Sequence, residues 1–420
     1  MRRTFADRIA GNLAWMLAER AMQVGCGFAI VAMLARALGP DGFAHFQYAQ
    51  AVVTIAASVA LVCSGEVVVP RLVALTGAAA QHRLLAHAFV LRLGGGVLGY
   101  ALVCGYLWVA GADREVWPIA LTLGLAILLR EPAGVVTAWM QAHTNNRPGM
   151  LISMISLSVK LVLVAALFAT GHAAGLGYAG TFALEAVLLA ALLGGWYLMR
   201  VPCRRVAPEP PLARELIGAG TLFWISFMLM MAARRVDQLI LQPAVPLAQF
   251  SAYAATMQIL DNYAMAATII AAGVAPLYVY RQTSAAVARR NTARLALALG
   301  ATGLAGAALI AGMADWIIAL LYGERFEAAA SLLRVAAFAS ALVFVDVGLT
   351  LVPVYLRKPQ WVAAKWAGTL LVVVLFDLIA VPRFGAWGAV AGYAVSNGFA
   401  VLTGIVLWWR AGVATRRYAA

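Results

Sequence analysis

Apolar residues fill this chain in runs of about 20 or more, interrupted at intervals by short clusters of glycine, proline and charge. A run of about 20 apolar residues is what an α-helix needs to cross some 30 Å of hydrocarbon. Set against the turn signals, the runs predict six spans in the first half, at roughly 11–37, 43–65, 84–110, 117–140, 149–170 and 177–199. Six more are predicted in the second half, at roughly 215–241, 247–272, 292–313, 328–354, 361–381 and 386–409. The pattern is that of an all-α polytopic membrane protein.

Composition agrees. The 420 residues are 64% hydrophobic and 11% charged, whereas soluble domains carry about 25% charge. The basic start MRRTFADRIAG precedes an apolar segment too long for a signal-peptide core, and that segment ends at RALGPDG without a small-residue cleavage site. No cleaved leader is expected. Cys26, Cys63 and Cys104 fall in apolar segments and Cys203 in a basic loop. Their spacing suits neither a zinc site nor a disulfide.

The net charge of +14 is a matter of topology. Arginines crowd the loops of one side, from Arg2, Arg3 and Arg8 through Arg204, Arg205 and Arg289 to Arg416 and Arg417. The other side holds Arg36, Arg114, Arg325 and Arg383. Since basic loops stay in the cytoplasm, both termini are predicted there. Basic loops that alternate with spans suit anionic lipid and offer no surface for a nucleic acid.

The loops at 200–215 and 280–294 are the longest, far below the roughly 50 residues of a domain. Neither a Walker-type loop nor a DxD sugar-nucleotide motif is present. A membrane glycosyltransferase or ATP-driven pump is therefore not expected. The proline-bearing basic loop divides the chain into an N-terminal lobe at 1–199, a cytoplasmic linker at 200–215 and a C-terminal lobe at 216–420. LGPDGFAHFQYAQAVVTIA between spans 1 and 2 parallels VPLAQFSAYAATMQILDNYA between spans 7 and 8. Two halves of six spans imply a parallel repeat with substrate between them.

Charges inside the spans are the candidate chemistry, because each costs about 2.5–3.5 kcal/mol at a helix centre on insertion scales. The bases are Arg20, Arg92, Arg130, Lys160, Arg234, Arg235, Arg334 and Lys365, the last two near helix ends. The acids are Glu19, Glu131, Glu185, Asp237, Asp261, Asp346 and Asp377. On an unbroken helix Arg234 and Asp237 share a face and can pair, whereas Arg235 points about 100° away. Glu19 and Arg20 are adjacent and diverge, so each needs a partner on another helix or a wet cavity. Lys160 has no acid in its own span; a cavity role and a buried interhelical pair both stand. Arg and Lys at several depths suit an anionic head group that moves across, through charge-assisted bonds to phosphate oxygens. Pro118, Pro132 and Pro276 add points where helices can bend.

Four stretches carry a family likeness: NLAWMLAERAMQVGCGFAIVAMLARALGPDGFAHFQYAQA, RRVDQLILQPAVPLAQFSAYAATMQI, LYGERFEAAASLLRVAAF and FGAWGAVAGYAVSNG. In their order and spacing the chain resembles the polysaccharide flippases, the O-antigen and exopolysaccharide repeat-unit transporters of the multidrug/oligosaccharidyl-lipid/polysaccharide exporter superfamily. The resemblance implies two six-helix lobes around a V-shaped alternating-access cavity, in the bacterial inner membrane. It implies a transporter and not an enzyme, flipping an undecaprenyl-diphosphate-linked oligosaccharide from the cytoplasmic to the periplasmic leaflet for O-antigen, capsule or exopolysaccharide assembly. Polysaccharide polymerase and chain-length machinery are the implied partners.

Basic residues on helices 1 and 7 of such proteins face the cavity, which matches Arg20, Arg234 and Arg235; Arg92, Arg130 and Lys160 join them from the burial argument alone. Twelve spans lack the extra helix pair of the peptidoglycan-precursor flippases, which points away from the lipid II subgroup. Trp15, Tyr48, Trp139, Trp224, Tyr253 and Tyr263 are candidates for stacking on sugars or for interfacial anchoring. No cofactor is expected beyond a coupling H+ or Na+, for which Asp237, Asp261 and Asp377, with Glu19, are candidates unless they serve to neutralise arginines. Two rivals remain: a cation-coupled drug exporter, whose cavity should be acidic, and a membrane polymerase or ligase, which would carry a large outer loop.

Overall fold

A computed structural model describes the backbone of residues 5–201 and 206–417 and the side chains of residues 20, 22–201 and 206–412. Cys203 and the side chains of Trp15 and Glu19 lie outside the described residues. Every described element is helical: α1 (Phe5–Ala60), α2 (Gly65–Ala74), α3 (Ala78–Val109), α4 (Val116–Ala133), α5 (Val135–Ala142), α6 (Arg147–Ala169) and α7 (Gly175–Arg200) come first. Next come α8 (Pro210–Ala233), α9 (Val236–Leu241), α10 (Leu247–Ala275), α11 (Ala285–Gly312), α12 (Ala314–Leu321), α13 (Ala328–Tyr355), α14 (Pro359–Phe384) and α15 (Ala386–Arg417). Among the described residues eleven helices are long and apolar enough to cross a membrane, and the first of them carries two of the predicted spans. The fold is therefore the all-α polytopic one that the pattern predicts.

Where pattern and structure differ, backbone chemistry explains it. RALGPDG reads as a loop between two spans, yet helix runs on through it with one break, at Gly39 (φ 65°, ψ −177°). Glycine takes this positive φ without a Cβ penalty, and Pro40 then opens the next helical turn, where its missing N–H costs nothing. Predicted span 4 is two helices, α4 and α5, parted at Gly134; predicted span 7 is α8 and α9, parted at Arg234 and Arg235. The short helices α2 and α12 leave no mark in the pattern, because ten and eight residues are too few to register as spans.

Two compact units form, Met1–Trp224 and Ile225–Ala420. In the first, α1 packs on α3, α4 and α6, and α4 packs on α7. Small residues permit the closest of these approaches: a Cβ on Gly99 would stand 2.6 Å from the Ala56 carbonyl oxygen, and one on Gly95 would stand 2.8 Å from that of Val59. Membrane helices use such faces because dispersion contacts between backbones, not exclusion of water, hold them together. Residues 210–224 of α8 belong to this unit. Trp224 donates its indole N–H to the Ser58 carbonyl at 3.2 Å, and Arg71 pairs with Glu215 at 3.0 Å.

In the second unit α13 is the central helix, packed on α10, α11 and α15. Phe344, Leu299, Ala267 and Ala271 form part of its apolar core. A buried ion pair fastens α14 to it: Lys365 Nζ donates to both Asp346 oxygens, at 2.7 and 2.9 Å, and to Thr350 Oγ1 at 2.8 Å. At 2% and 7% side-chain exposure these charges have no water to fall back on. Lys365 and Asp346 are thus structural.

Thermal unfolding of the purified protein in detergent should register both features. Gly99→Leu should lower the midpoint sharply by wedging α3 from α1, while Gly105→Leu, whose Cβ meets nothing within 4 Å, should leave it nearly unchanged. Lys365→Met should cost about 3–5 kcal/mol by stranding Asp346, and Lys365→Met combined with Asp346→Leu should recover most of that loss.

Candidate functional site

Within the first unit the broken helices bring polar groups together. Pro132 and Gly134 end α4 just after Arg130 and Glu131. A cavity of about 320 Å³ opens beside it, lined by Gly65, Arg130, Glu131, Thr137, Gln141 and Ser153 among others. A second cavity of about 240 Å³ shares Thr137, Gln141 and Ser153 and adds Arg20 and Asn146. The two are neighbours in one polar region, with Arg92 and Arg130 beside the first and Arg20 beside the second.

Arg20 is exposed, and its guanidinium donates to Gln23 Oε1 at 2.9 Å, one turn on. Arg130 is half exposed and reaches Glu185 Oε2 at 3.3 Å. Lys160 meets the same oxygen at 3.6 Å and lies over the Phe182 ring, 4.6 Å from its centre. Of the two readings of Lys160, the structure gives the interhelical pair, α6 to α7. Glu185 is the residue whose role sequence reasoning missed. It is one of the intramembrane acids, but nothing in the sequence says that two bases from two other helices converge on it.

Arg92 is 5% exposed and spends its donors on the backbone. Nε and Nη2 reach the Cys63 carbonyl at 2.9 and 2.6 Å, and Nη1 reaches that of Glu131 at 3.2 Å. Those carbonyls lie at the breaks after α1 and near the end of α4, where helical partners run out. Arg92 borders the 320 Å³ cavity, but as a brace for its wall.

The second unit holds a smaller chamber of about 30 Å³, lined by Arg234, Arg235, Asp237, Asp261, Trp366, Tyr393, Ser396 and Asn397 among others. The pairing of Arg234 with Asp237 that an unbroken helix allows does not form among the described residues. Helix α8 stops at Ala233 and α9 starts at Val236, so the i, i+3 geometry on which that pairing depends is absent. Arg235 instead pairs with Asp261 of α10 at 2.7 Å. Asp237 accepts a short bond from the Tyr253 hydroxyl and another from the Gln238 N–H at 2.8 Å. Arg234 is exposed, 5.8 Å from the centre of the Trp366 ring, with no carboxylate within 4 Å among the described residues.

Asp377 stands apart. It is fully buried on α14, and neither carboxylate oxygen has a hydrogen-bond partner among the described residues. A Cβ on Gly392 of α15 would collide with it.

The aromatic candidates are mostly occupied. Tyr48 bonds Tyr106 at 3.2 Å, Tyr263 donates to the Gly303 carbonyl at 2.5 Å, and Trp139 packs edge-on against Trp196 and Tyr197. The aromatics that do reach the chamber, Trp366 and Tyr393, are not among the sequence candidates. The spacing of Tyr393, Ser396 and Asn397 in GYAVSNG, at i, i+3 and i+4, is the signal that marks one polar helix face there.

No family model matches the chain, and no curated protein does. Solved structures do. An inward-facing multidrug resistance MATE family transporter of the MOP superfamily superposes with a TM-score of 0.75 at 14% identity, covering 97% of this chain and 100% of its own. The lipid II flippase MurJ, in an inward closed conformation, gives 0.71 at 11% identity over 96% of this chain and 90% of its own. A MOP superfamily transporter from Pyrococcus furiosus, described as having a binding pocket of reverse polarity, gives 0.67 at 15% over 99% and 96%. The broken, apolar helices of this chain thus share the fold of solved MOP superfamily transporters.

Proposed function

We propose that this protein is a flippase for oligosaccharides carried on a polyprenyl diphosphate. It moves them from the cytoplasmic to the periplasmic leaflet of a bacterial inner membrane, with both of its termini cytoplasmic. A diphosphate and a glycan cannot enter hydrocarbon, since each unsatisfied polar group costs several kcal/mol there. A polar path for the head group, with the prenyl chain left in lipid, removes that cost.

The observation that carries this reading is the sign of the groups left open. Arg20, Arg130 and Arg234 are half or fully exposed. Of the acids near them, Glu185 is engaged by Arg130 and Lys160, Asp261 by Arg235, and Asp237 by Tyr253 and Gln238, while Glu131 lines the 320 Å³ cavity beside two arginines, Arg92 and Arg130. Arginine forks match phosphate oxygens in geometry as well as charge. A cavity for cationic drugs would present the opposite sign. That one protein with this fold is a lipid II flippase lends the reading further support. Polymerase and chain-length proteins are the partners that such an activity would feed.

For coupling, Asp377 is the assigned residue. A fully buried carboxylate whose two oxygens meet no donor among the described residues fits a group that binds H+ or Na+, because burial penalises a bare charge. Binding that differs between two conformations is enough to bias them.

In proteoliposomes, movement of an undecaprenyl-diphosphate oligosaccharide should require the protein, and Arg20→Ala, Arg130→Ala and Arg234→Ala should each slow it at least about tenfold. Wild-type rates in all three, together with export of cationic dyes, would replace the flippase with the drug exporter. Asp377→Asn should make transport indifferent to imposed H+ or Na+ gradients. A variant that still shows the wild-type gradient dependence removes Asp377 from the coupling role.

A further inference from the structure

Glu185 serves two cations with one oxygen. Arg130 Nη1 and Lys160 Nζ approach Oε2 at 3.3 and 3.6 Å, both longer than the roughly 2.7–2.9 Å of a strong charge-assisted bond. Within this trio one carboxylate faces two cations, and the Glu131 carboxylate, which also lines the cavity, makes no ion pair with either of them among the described residues. The two cations differ in access. Lys160 is 11% exposed in its side chain and seated on Phe182, whereas Arg130 is 50% exposed and lines the 320 Å³ cavity.

That asymmetry defines an exchange. An anion entering the cavity can offer Arg130 two well-aligned oxygens in place of one long contact. If Arg130 turns to it, Glu185 retains Lys160, and no buried charge is stranded. When the anion leaves, Glu185 takes Arg130 back. We infer that Glu185 is an internal counter-ion that competes with the diphosphate for Arg130 and so holds its affinity low enough for release. It is a positioning residue that acts through Arg130 and does not touch the substrate. The inference rests on the reading of this cavity as a diphosphate site.

The test is binding of inorganic pyrophosphate to the purified full-length protein in detergent, by titration calorimetry. Glu185→Gln should bind about tenfold more tightly than wild type, the size of one charged hydrogen bond no longer competed for. Glu185→Asp, which keeps the charge, should stay within about twofold of wild type, and Arg130→Ala should abolish the gain when combined with Glu185→Gln. Equal or weaker binding by a folded Glu185→Gln protein, or a gain that survives loss of Arg130, overturns the inference. Should Glu185→Gln fail to fold because Lys160 is stranded, Lys160→Met combined with Glu185→Gln removes both buried charges and must show the same gain.

In liposomes Glu185→Gln should also lower the maximal flipping rate together with the half-saturating substrate concentration, a joint change that mere loss of structure does not produce. Tighter pyrophosphate binding without any movement of lipid-linked glycan keeps the counter-ion and discards the flippase. Glycan movement with unchanged pyrophosphate affinity does the reverse.

Discussion

A charge in hydrocarbon must find a partner or a wet surface, and the organisation of this protein depends on how each intramembrane charge does so. Some are committed to the fold. Lys365, Asp346 and Thr350 close a buried triad between α13 and α14, and Arg92 caps carbonyls at two helix breaks. Others are balanced only in part: Arg130 and Lys160 share one carboxylate, and Arg234 has an aromatic face in place of an acid. The first group ties helices together, and the second leaves positive charge partly exposed.

Helix breaks supply the places where these charges sit. An unbroken helix satisfies its own backbone and presents side chains at fixed steps of about 100°, whereas a break frees carbonyls and resets the direction of the next segment. Arg130 and Glu131 precede the break at Gly134, and Arg234 and Arg235 occupy the break between α8 and α9. In membranes such irregular backbone persists only where protein or a polar cavity covers it. The cavities of both units border such breaks.

The shared fold narrows function only to a point. At 11–14% identity, a multidrug resistance transporter and a lipid flippase superpose on this chain alike. A fold hosts several substrates, and the site discriminates among them. In the proposed function the discriminating property is electrostatic sign, which depends on which acids are already engaged.

Much is legible in one dimension. The membrane class, the positions of the twelve spans and the roster of intramembrane charges all come from composition and run length, because crossing hydrocarbon imposes a length and an apolarity that no tertiary contact can relax. Partner choice is not legible. Lys160 and Glu185 lie on different helices, α6 and α7, and their meeting depends on how each helix is rotated about its axis, which a uniformly apolar span does not encode. The pairing of Arg234 with Asp237 that a continuous helix allows is absent for a related reason: the i, i+3 rule presumes that continuity, and only the folded chain breaks it between them. Sequence thus determined which charges enter the membrane, and tertiary structure decided which of them remain open, since pairing requires distance and distance exists only in three dimensions.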